Sequence, residues 1–133
     1  MITFIIAAFL TANIAAHEAV VWVDGPPSLP KGTKVAVLEG DPKKPGIFTM
    51  RLKVPGGSAI APHTHPRHER VTVISGRVDL GFGKVADRKN VTLYTAGGFY
   101  VNPPDIPHYL FIPEESVLQL TCEGPWELRR VED

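Results

Sequence analysis

Short runs in which apolar and polar residues alternate recur along the chain from residue 19 onwards. This period of two is typical of strands with one face packed against a core, and no 3.6-residue apolar stripe of a helix follows residue 16. Clusters of Gly, Pro and Asp separate the runs. The pattern predicts strands over residues 19–23, 34–38, 47–54, 58–65, 69–75, 77–82, 91–94, 99–101, 108–111, 117–122 and 127–131.

Many short strands spaced by turn signals are typical of an all-β sandwich or barrel. The 13 prolines and 12 glycines are distributed along the chain and are not collected in one linker, so few windows are long enough for a helix. A length of 133 residues suits one domain with a single core. The sequence therefore predicts one all-β domain.

Two predicted strands each carry a polar residue that can face the barrel interior. If Glu69 faces the interior, its neighbours on that face are Val71, Val73 and Ser75. On the later strand, His108 shares its face with Leu110 and Ile112. We therefore expect polar groups at the mouth of an otherwise aliphatic barrel.

Four potential metal ligands dominate the candidate chemistry, and they are His63, His65, Glu69 and His108. Two histidines at i and i+2 point to one side of a strand, whereas on a helix they would diverge. On the strand 58–65, however, His63 and His65 share a face with Ile60 only if Ala61 or Pro62 breaks the register. Imidazoles with one carboxylate suit Zn, Fe, Mn, Co, Ni or Cu.

Composition excludes several other classes of protein. Hydrophobic residues make up 44% and charged residues 21% of the chain, which is ordinary for a globular domain. Lys plus Arg and Asp plus Glu are balanced at 14 each, so no general charge attracts nucleic acid or anionic lipid. The single cysteine, Cys122, cannot form an intramolecular disulfide, and its apolar strand predicts a small buried side chain.

Residues 1–16 carry no charge and end in small residues before His17. That order resembles the apolar and cleavage regions of a secretory signal, although no Lys or Arg precedes the run, and it is too short for a stable membrane anchor. The alternative is a buried first strand or helix. We expect a signal peptide over 1–16, a β-barrel over 17–133 and a secreted or periplasmic protein. The protein would be cytoplasmic if 1–16 belong to the fold.

The spacing of these residues resembles the cupin superfamily of small β-barrels. The first cupin motif is Gly, five residues, His-x-His, three or four residues, Glu, six residues and Gly. Every fixed position is filled here, by Gly57, His63, His65, Glu69 and Gly76. Five fixed residues within twenty rarely occur together by chance, so this motif is specific.

The second cupin motif is filled in part. Gly97, Pro103 and His108 occupy their expected positions, whereas Asp105 replaces a turn Gly and Ile112 replaces a terminal Asn. Asp tolerates positive φ better than most residues, so we expect the turn to survive. The two motifs span residues 57–112, and the strand pattern extends the resemblance over most of the chain after residue 30.

The resemblance implies a double-stranded β-helix, or jelly-roll, barrel that binds one divalent transition metal through His63, His65, Glu69 and His108. It also implies a homodimer and a small-molecule ligand or substrate. Several functions stay open. The first is a metal-dependent enzyme, either a dioxygenase acting on an enol or diketone with Glu69 as base, or an isomerase or lyase. The others are a non-catalytic metal- or metabolite-binding module and a structural metalloprotein. The aromatic candidates to line a pocket or dimer interface are Tyr100, Tyr109, Phe111 and Trp126.

Overall fold

The computed structural model describes residues 20–132, and within this range the protein is all-β, without a helix. No segment of this range forms a helix long and apolar enough to cross a bilayer. The predicted signal peptide over 1–16 lies outside the described residues. The strands are β1 Val23–Asp24, β2 Lys34–Glu39, β3 Gly46–Val54, β4 Ser58–Thr64, β5 Glu69–Phe82, β6 Thr92–Thr95, β7 Phe99–Asn102, β8 His108–Gly124 and β9 Arg129–Arg130.

The long strand β8 organises the sheet. Its first part pairs with β4 and its last part with β3, while β5 runs antiparallel to it along its other edge. The remaining strands extend the sheet from these pairs, in the order β1-β2-β3-β8-β4-β9 on one path and with β6 and β7 on β5. This antiparallel arrangement confirms the predicted jelly-roll barrel.

In two places the structure has one continuous strand where the sequence predicted two. β5 joins the predicted runs 69–75 and 77–82, and β8 joins 108–111 and 117–122. Gly76 does not end β5, because it lies in a series of bulges between Val73 and Asp79 and adopts a positive φ of 85° there. The same bulges end the alternation, so Ser75 is exposed, and the predicted inward position of Ser75 is wrong.

The barrel interior is aliphatic and aromatic. Phe48, Val54, Val71 and Val73 have no exposed surface, and each such side chain stabilises the fold by about 1.5–3 kcal/mol relative to an exposed position. The alternation of buried and half-buried residues along β3 is the pattern expected of a strand with one face on the core.

Close packing fixes the beginning of β8, where His108 lies. Tyr109 is fully buried against its cross-strand partner Gly81, and a β-carbon at Gly81 would lie 2.2 Å from the tyrosine ring. The tyrosine hydroxyl donates a hydrogen bond of 2.8 Å to the carbonyl of Asn90. Only glycine therefore fits at position 81 without displacing the residue next to His108.

Candidate metal centre

A bulge in β4 turns His63 into the barrel. Ile60 pairs with Leu110 and His63 with His108, so three residue steps on β4 match two on β8. Pro62 lies in this bulge, where its missing N–H removes no regular ladder bond. Both Ile60 and His63 are buried, each at 3% exposure. The register break required for an inward His63 is therefore present at Ala61 and Pro62.

His65 follows directly after β4 and is also buried. Its backbone carbonyl accepts a hydrogen bond of 2.9 Å from the amide of Asp105, which has φ of 60°. The predicted survival of the turn with Asp in place of Gly is thus confirmed. This hydrogen bond connects the loop before His108 to the backbone of His65.

The three imidazoles are oriented by backbone carbonyls. Nδ1 of His63 lies 2.8 Å from the carbonyl of Ala61, and Nδ1 of His65 lies 2.6 Å from that of Glu127. Nδ1 of His108 lies 3.2 Å from the carbonyl of Ile106. Because a carbonyl can only accept, each Nδ1 carries the proton, and each neutral ring leaves the lone pair of Nε2 free.

These free nitrogens converge. One ligand atom of each of His63, His65 and His108 lies within 4.8 Å of those of the other two. Nε2 of His65 and Nε2 of His108 are buried and have no hydrogen-bond partner among the described residues. Buried polar atoms without partners are rare in folded proteins and are destabilising. A cation between the three rings would satisfy them.

Burial favours the neutral form of the His63 and His108 imidazoles. The pKa of His63 is lowered from 6.5 to about 3, chiefly by burial and next by the nearby His108, while the carbonyl of Ala61 acts in the opposite direction. Burial also lowers the pKa of His108, against an opposing effect of Glu69. Neutral imidazole is the form that coordinates a metal, so His63 and His108 are prepared for coordination at neutral pH.

Glu69 is held at the edge of this cluster and not at its centre. It does not belong to the set of three mutually close ligand groups. Its Oε1 accepts a hydrogen bond of 2.9 Å from Nδ2 of Asn102, and its Oε2 accepts one of 2.9 Å from Nε1 of Trp126. Its Oε2 also lies 3.3 Å from Nε2 of His65.

The contact between His65 and Glu69 fits a shared cation. With the proton of His65 on Nδ1, two buried acceptors face each other at 3.3 Å, which is unfavourable unless a proton or a cation lies between them. Two ligands about 2.1 Å from one metal ion lie about 3.0–3.4 Å apart. The residues present therefore fit a divalent metal, although the ligand roles of the four residues stay predictions.

The cavity beside these groups is small. Its volume is about 20 Å³, slightly above the roughly 10–15 Å³ that one water needs. Its polar groups come from His63, His65 and Glu69. The apolar residues that line it are Leu29, Leu52, Ile60, Leu110, Leu118, Leu120 and Leu128, together with the aromatic residues Tyr100 and Trp126.

Sequence reasoning missed Asn102, and it named Trp126 as a pocket candidate without its bond to Glu69. Asn102 is fully buried and is the cross-strand partner of Glu69, and the signal for it was a polar residue directly before Pro103 of the second motif. Trp126 was only one of four aromatic candidates. Its indole also stacks on His65, with ring centroids 5.5 Å apart and planes at 21°. It therefore contacts both a histidine and the carboxylate.

Cys122 takes the position predicted for it. It is buried and is the cross-strand partner of Glu69. Burial, together with the carboxylate of Glu69, raises the pKa of the Cys122 thiol to about 12. The thiol is thus protonated at neutral pH and unreactive. His68, which precedes Glu69 in the first motif, is exposed.

Comparison with known proteins points to the same class of fold. The family model of the ChrR cupin-like domain matches residues 11–127. Germin-like protein 3-1 of Oryza sativa subsp. japonica is 34% identical over 80 residues, which are 59% of this chain and 36% of the rice protein. The chain thus spans about a third of the length of that curated relative.

Solved structures share the barrel at low sequence identity. The polyketide cyclase RemF from Streptomyces resistomycificus superposes with a TM-score of 0.69 at 17% identity, covering 89% of this chain and 84% of the cyclase. An acetylacetone dioxygenase from Acinetobacter johnsonii has a TM-score of 0.64 at 20% identity, covering 84% of this chain and 72% of the dioxygenase. At these identities the similarity establishes the fold and leaves the reaction open.

Proposed function

Because this chain belongs to the ChrR cupin-like family, we propose that it binds one divalent transition metal and uses it in a dioxygenase-type reaction on a small enol or β-diketone. The three buried histidines would hold the ion, and Glu69 would be the fourth ligand. The reaction and the substrate class go beyond the family assignment, and they are supported by the chemistry of the site.

The observation that carries this proposal is the orientation of the imidazoles. In each ring the lone pair lies on Nε2 because Nδ1 is bonded to a backbone carbonyl, and one ligand atom of each ring lies within 4.8 Å of those of the other two. Such bonds to the second ring nitrogen fix the tautomer and the direction of metal-binding histidines. No group in the described part of the chain forms a hydrogen bond with Nε2 of His65 or of His108.

A bound divalent ion would supply Lewis-acid activation of an oxygen donor and a fixed template for it. The protein supplies the rest. The leucines around the cavity keep bulk water out and strengthen electrostatic interactions within it. Asn102 and Trp126 hold the carboxylate of Glu69 beside His65, where Oε2 could accept the proton of an enol or of a carbon between two carbonyls.

One relative in fold supports the reaction class. The Acinetobacter johnsonii protein is described as an acetylacetone dioxygenase, and its barrel covers 84% of this chain. We extend the reaction to this protein as a proposal because a β-diketone offers two oxygens to one ion. The homodimer and the export of the protein stay predictions.

The small cavity favours a second candidate function. A volume of about 20 Å³ holds an ion or a water but no organic substrate. In that case the site would hold its metal without turnover, as a metal-binding regulatory or structural module. Both functions share the same ligands, and they differ only in whether a substrate reaches the ion.

Oxygen consumption separates the two candidates. The purified chain would be loaded with Fe(II), Mn(II) or Ni(II), its metal content measured, and oxygen uptake followed with acetylacetone as substrate. We expect about one metal per chain and uptake in at least one form, both lost in His63→Ala and both kept in His68→Ala. Metal binding without uptake would favour the non-catalytic module, and absence of metal in every form would refute both functions.

A further inference from the structure

The small cavity at the histidines shares a boundary with a much larger groove. The groove has a volume of about 770 Å³ and lies over the inner face of β2 and β3. Trp126 and Leu128 line both the groove and the metal cavity. The two spaces therefore adjoin at these two side chains.

The groove has the size and surface of a site for a small organic molecule. Pockets for such ligands are typically about 300–1,000 Å³, mostly apolar, with a few polar groups. Here the floor consists of side chains from the inner faces of β2 and β3. Val37 is 49% exposed, although its cross-strand partner Met50 on the same face is buried. The apolar residues that line the groove are Val23, Pro26, Val35, Val37, Pro42, Met50, Trp126 and Leu128.

Backbone contacts hold the chain at Trp126 in place, whereas its indole is held by a side-chain hydrogen bond. Its amide donates a hydrogen bond of 2.7 Å to the carbonyl of Pro42. A β-carbon at Gly124 would lie 2.1 Å from the carbonyl oxygen of Lys44, so this segment lies directly on the loop before β3. The described hydrogen bond of the indole is the one from Nε1 to Glu69. Rotation of the indole would break this bond and its stacking on His65, and it would remove one of the two side chains at the boundary.

We propose that the groove binds the apolar body of an organic ligand, and that Trp126 is the gate whose rotation away from Glu69 lets the ligand's oxygen donor reach the metal cavity. This inference rests on the proposed function and specifies its preferred substrate as a molecule with an apolar part larger than a methyl group. It also explains how a cavity of about 20 Å³ can serve a substrate, because the bulk of the substrate stays in the groove.

The occupant follows from continuity and from chemistry. The groove meets the metal cavity at Trp126 and Leu128, so a molecule in the groove is one side chain away from the ion site. Its apolar floor suits an uncharged aromatic or aliphatic body, while the metal cavity suits an oxygen donor. Benzoylacetone, a β-diketone with a phenyl ring, combines both parts, and acetylacetone provides the same donor without the ring.

Calorimetric titration of the zinc-loaded protein tests the groove without relying on turnover, because zinc has no redox chemistry. We expect benzoylacetone to bind at least about tenfold more tightly than acetylacetone, and Val37→Glu to remove that preference. The matched control is Val85→Glu, at an exposed valine outside both cavities (78% exposed). Equal affinities for benzoylacetone in Val37→Glu and wild type would overturn the inference.

The two tryptophans provide a direct readout of the gate. In protein labelled with 5-fluorotryptophan, the ¹⁹F signal of Trp126 should shift when benzoylacetone binds the zinc form. The signal of Trp22, whose ring contacts Lys53, should not shift. Trp22→Phe assigns the two signals. An unchanged Trp126 signal at saturating benzoylacetone would overturn the gate.

Failure of this inference can be distinguished from failure of the proposed function. If zinc binds but benzoylacetone does not bind, or binds without dependence on Val37, the groove and gate are wrong and the metal site stands. If zinc does not bind at all, the proposed function is wrong and this inference falls with it. Zinc content measured on each variant before titration decides between the two.

Discussion

His63 and His108 lie directly opposite each other on the antiparallel strands β4 and β8, with ring centroids 4.2 Å apart. Their pairing depends on the bulge at Ala61 and Pro62, since strict alternation after Ile60 would turn His63 outward. Two histidines separated by 45 positions in the sequence thus become neighbours through one irregularity in β4. The remaining site groups gather around this pair.

Metal should stabilise the fold through these histidines. A ligand that binds only the folded state at about 100 times its Kd adds about 2.7 kcal/mol to the free energy of unfolding. We therefore expect saturating zinc to raise the Tm by more than about 5 °C, as measured by calorimetry or circular dichroism. His65→Gln should abolish this rise and His68→Gln should keep it. An equal rise in both variants would show that zinc binds elsewhere.

Glu69→Gln tests the fourth ligand. A neutral amide is a poorer ligand than a carboxylate, and its NH₂ group would oppose the N–H donor of Trp126 or of Asn102. We expect metal affinity to fall about 10–100-fold, measured by competition with a chromophoric chelator. Glu123→Gln, at an exposed carboxylate, is the control. Unchanged affinity in Glu69→Gln would leave three histidines as the complete ligand set.

The stability of the metal-free protein should depend on pH through His63. Its pKa is about 3 in the folded protein and 6.5 ordinarily, so between these values the unfolded chain binds the proton and the folded chain does not. The free energy of unfolding therefore falls as the pH decreases from about 6.5 towards 3. Urea unfolding across this range, with a chelator present, should show a shallower decrease for His63→Gln than for wild type. His68→Gln should behave like wild type, and an identical slope in all three would contradict the assignment.

Packing at Gly81 should be sensitive to a single methyl group. A β-carbon there would lie 2.2 Å from the ring of Tyr109, which is fully buried. We expect Gly81→Ala to lower the free energy of unfolding by about 1–3 kcal/mol in urea. In the background Tyr109→Leu the same substitution should cost less, because the ring is gone. An equal loss of unfolding free energy in both backgrounds would show that contact with the Tyr109 ring does not cause the destabilisation.

Much of the fold could be predicted from alternation and motif spacing because both depend on local backbone geometry. The positions of β3, β4 and β7 follow from their period of two, and the turn at Asp105 follows from the tolerance of Asp for positive φ. The continuity of β5 through Gly76 could not be predicted, because a glycine in a bulge and a glycine in a turn have the same local signature.

The histidines of the site could be predicted, and their surroundings could not. The meeting of His63, His65 and His108 was implied by the motifs, whereas the carboxylate of Glu69 lies at the edge of the cluster because of bonds formed by tertiary contacts. Trp126 comes from a segment distant in sequence from both motifs. The volumes of the cavity and the groove depend on the packing of many side chains, which no local pattern encodes.

The most direct measurement is a crystal structure of the cobalt- or zinc-loaded protein with anomalous data collected on both sides of the metal absorption edge. The account predicts one anomalous peak per chain, about 2.0–2.2 Å from Nε2 of each of His63, His65 and His108 and close to a carboxylate oxygen of Glu69. An anomalous peak only at other residues, or none in fully loaded crystals, would contradict the existence of this metal centre.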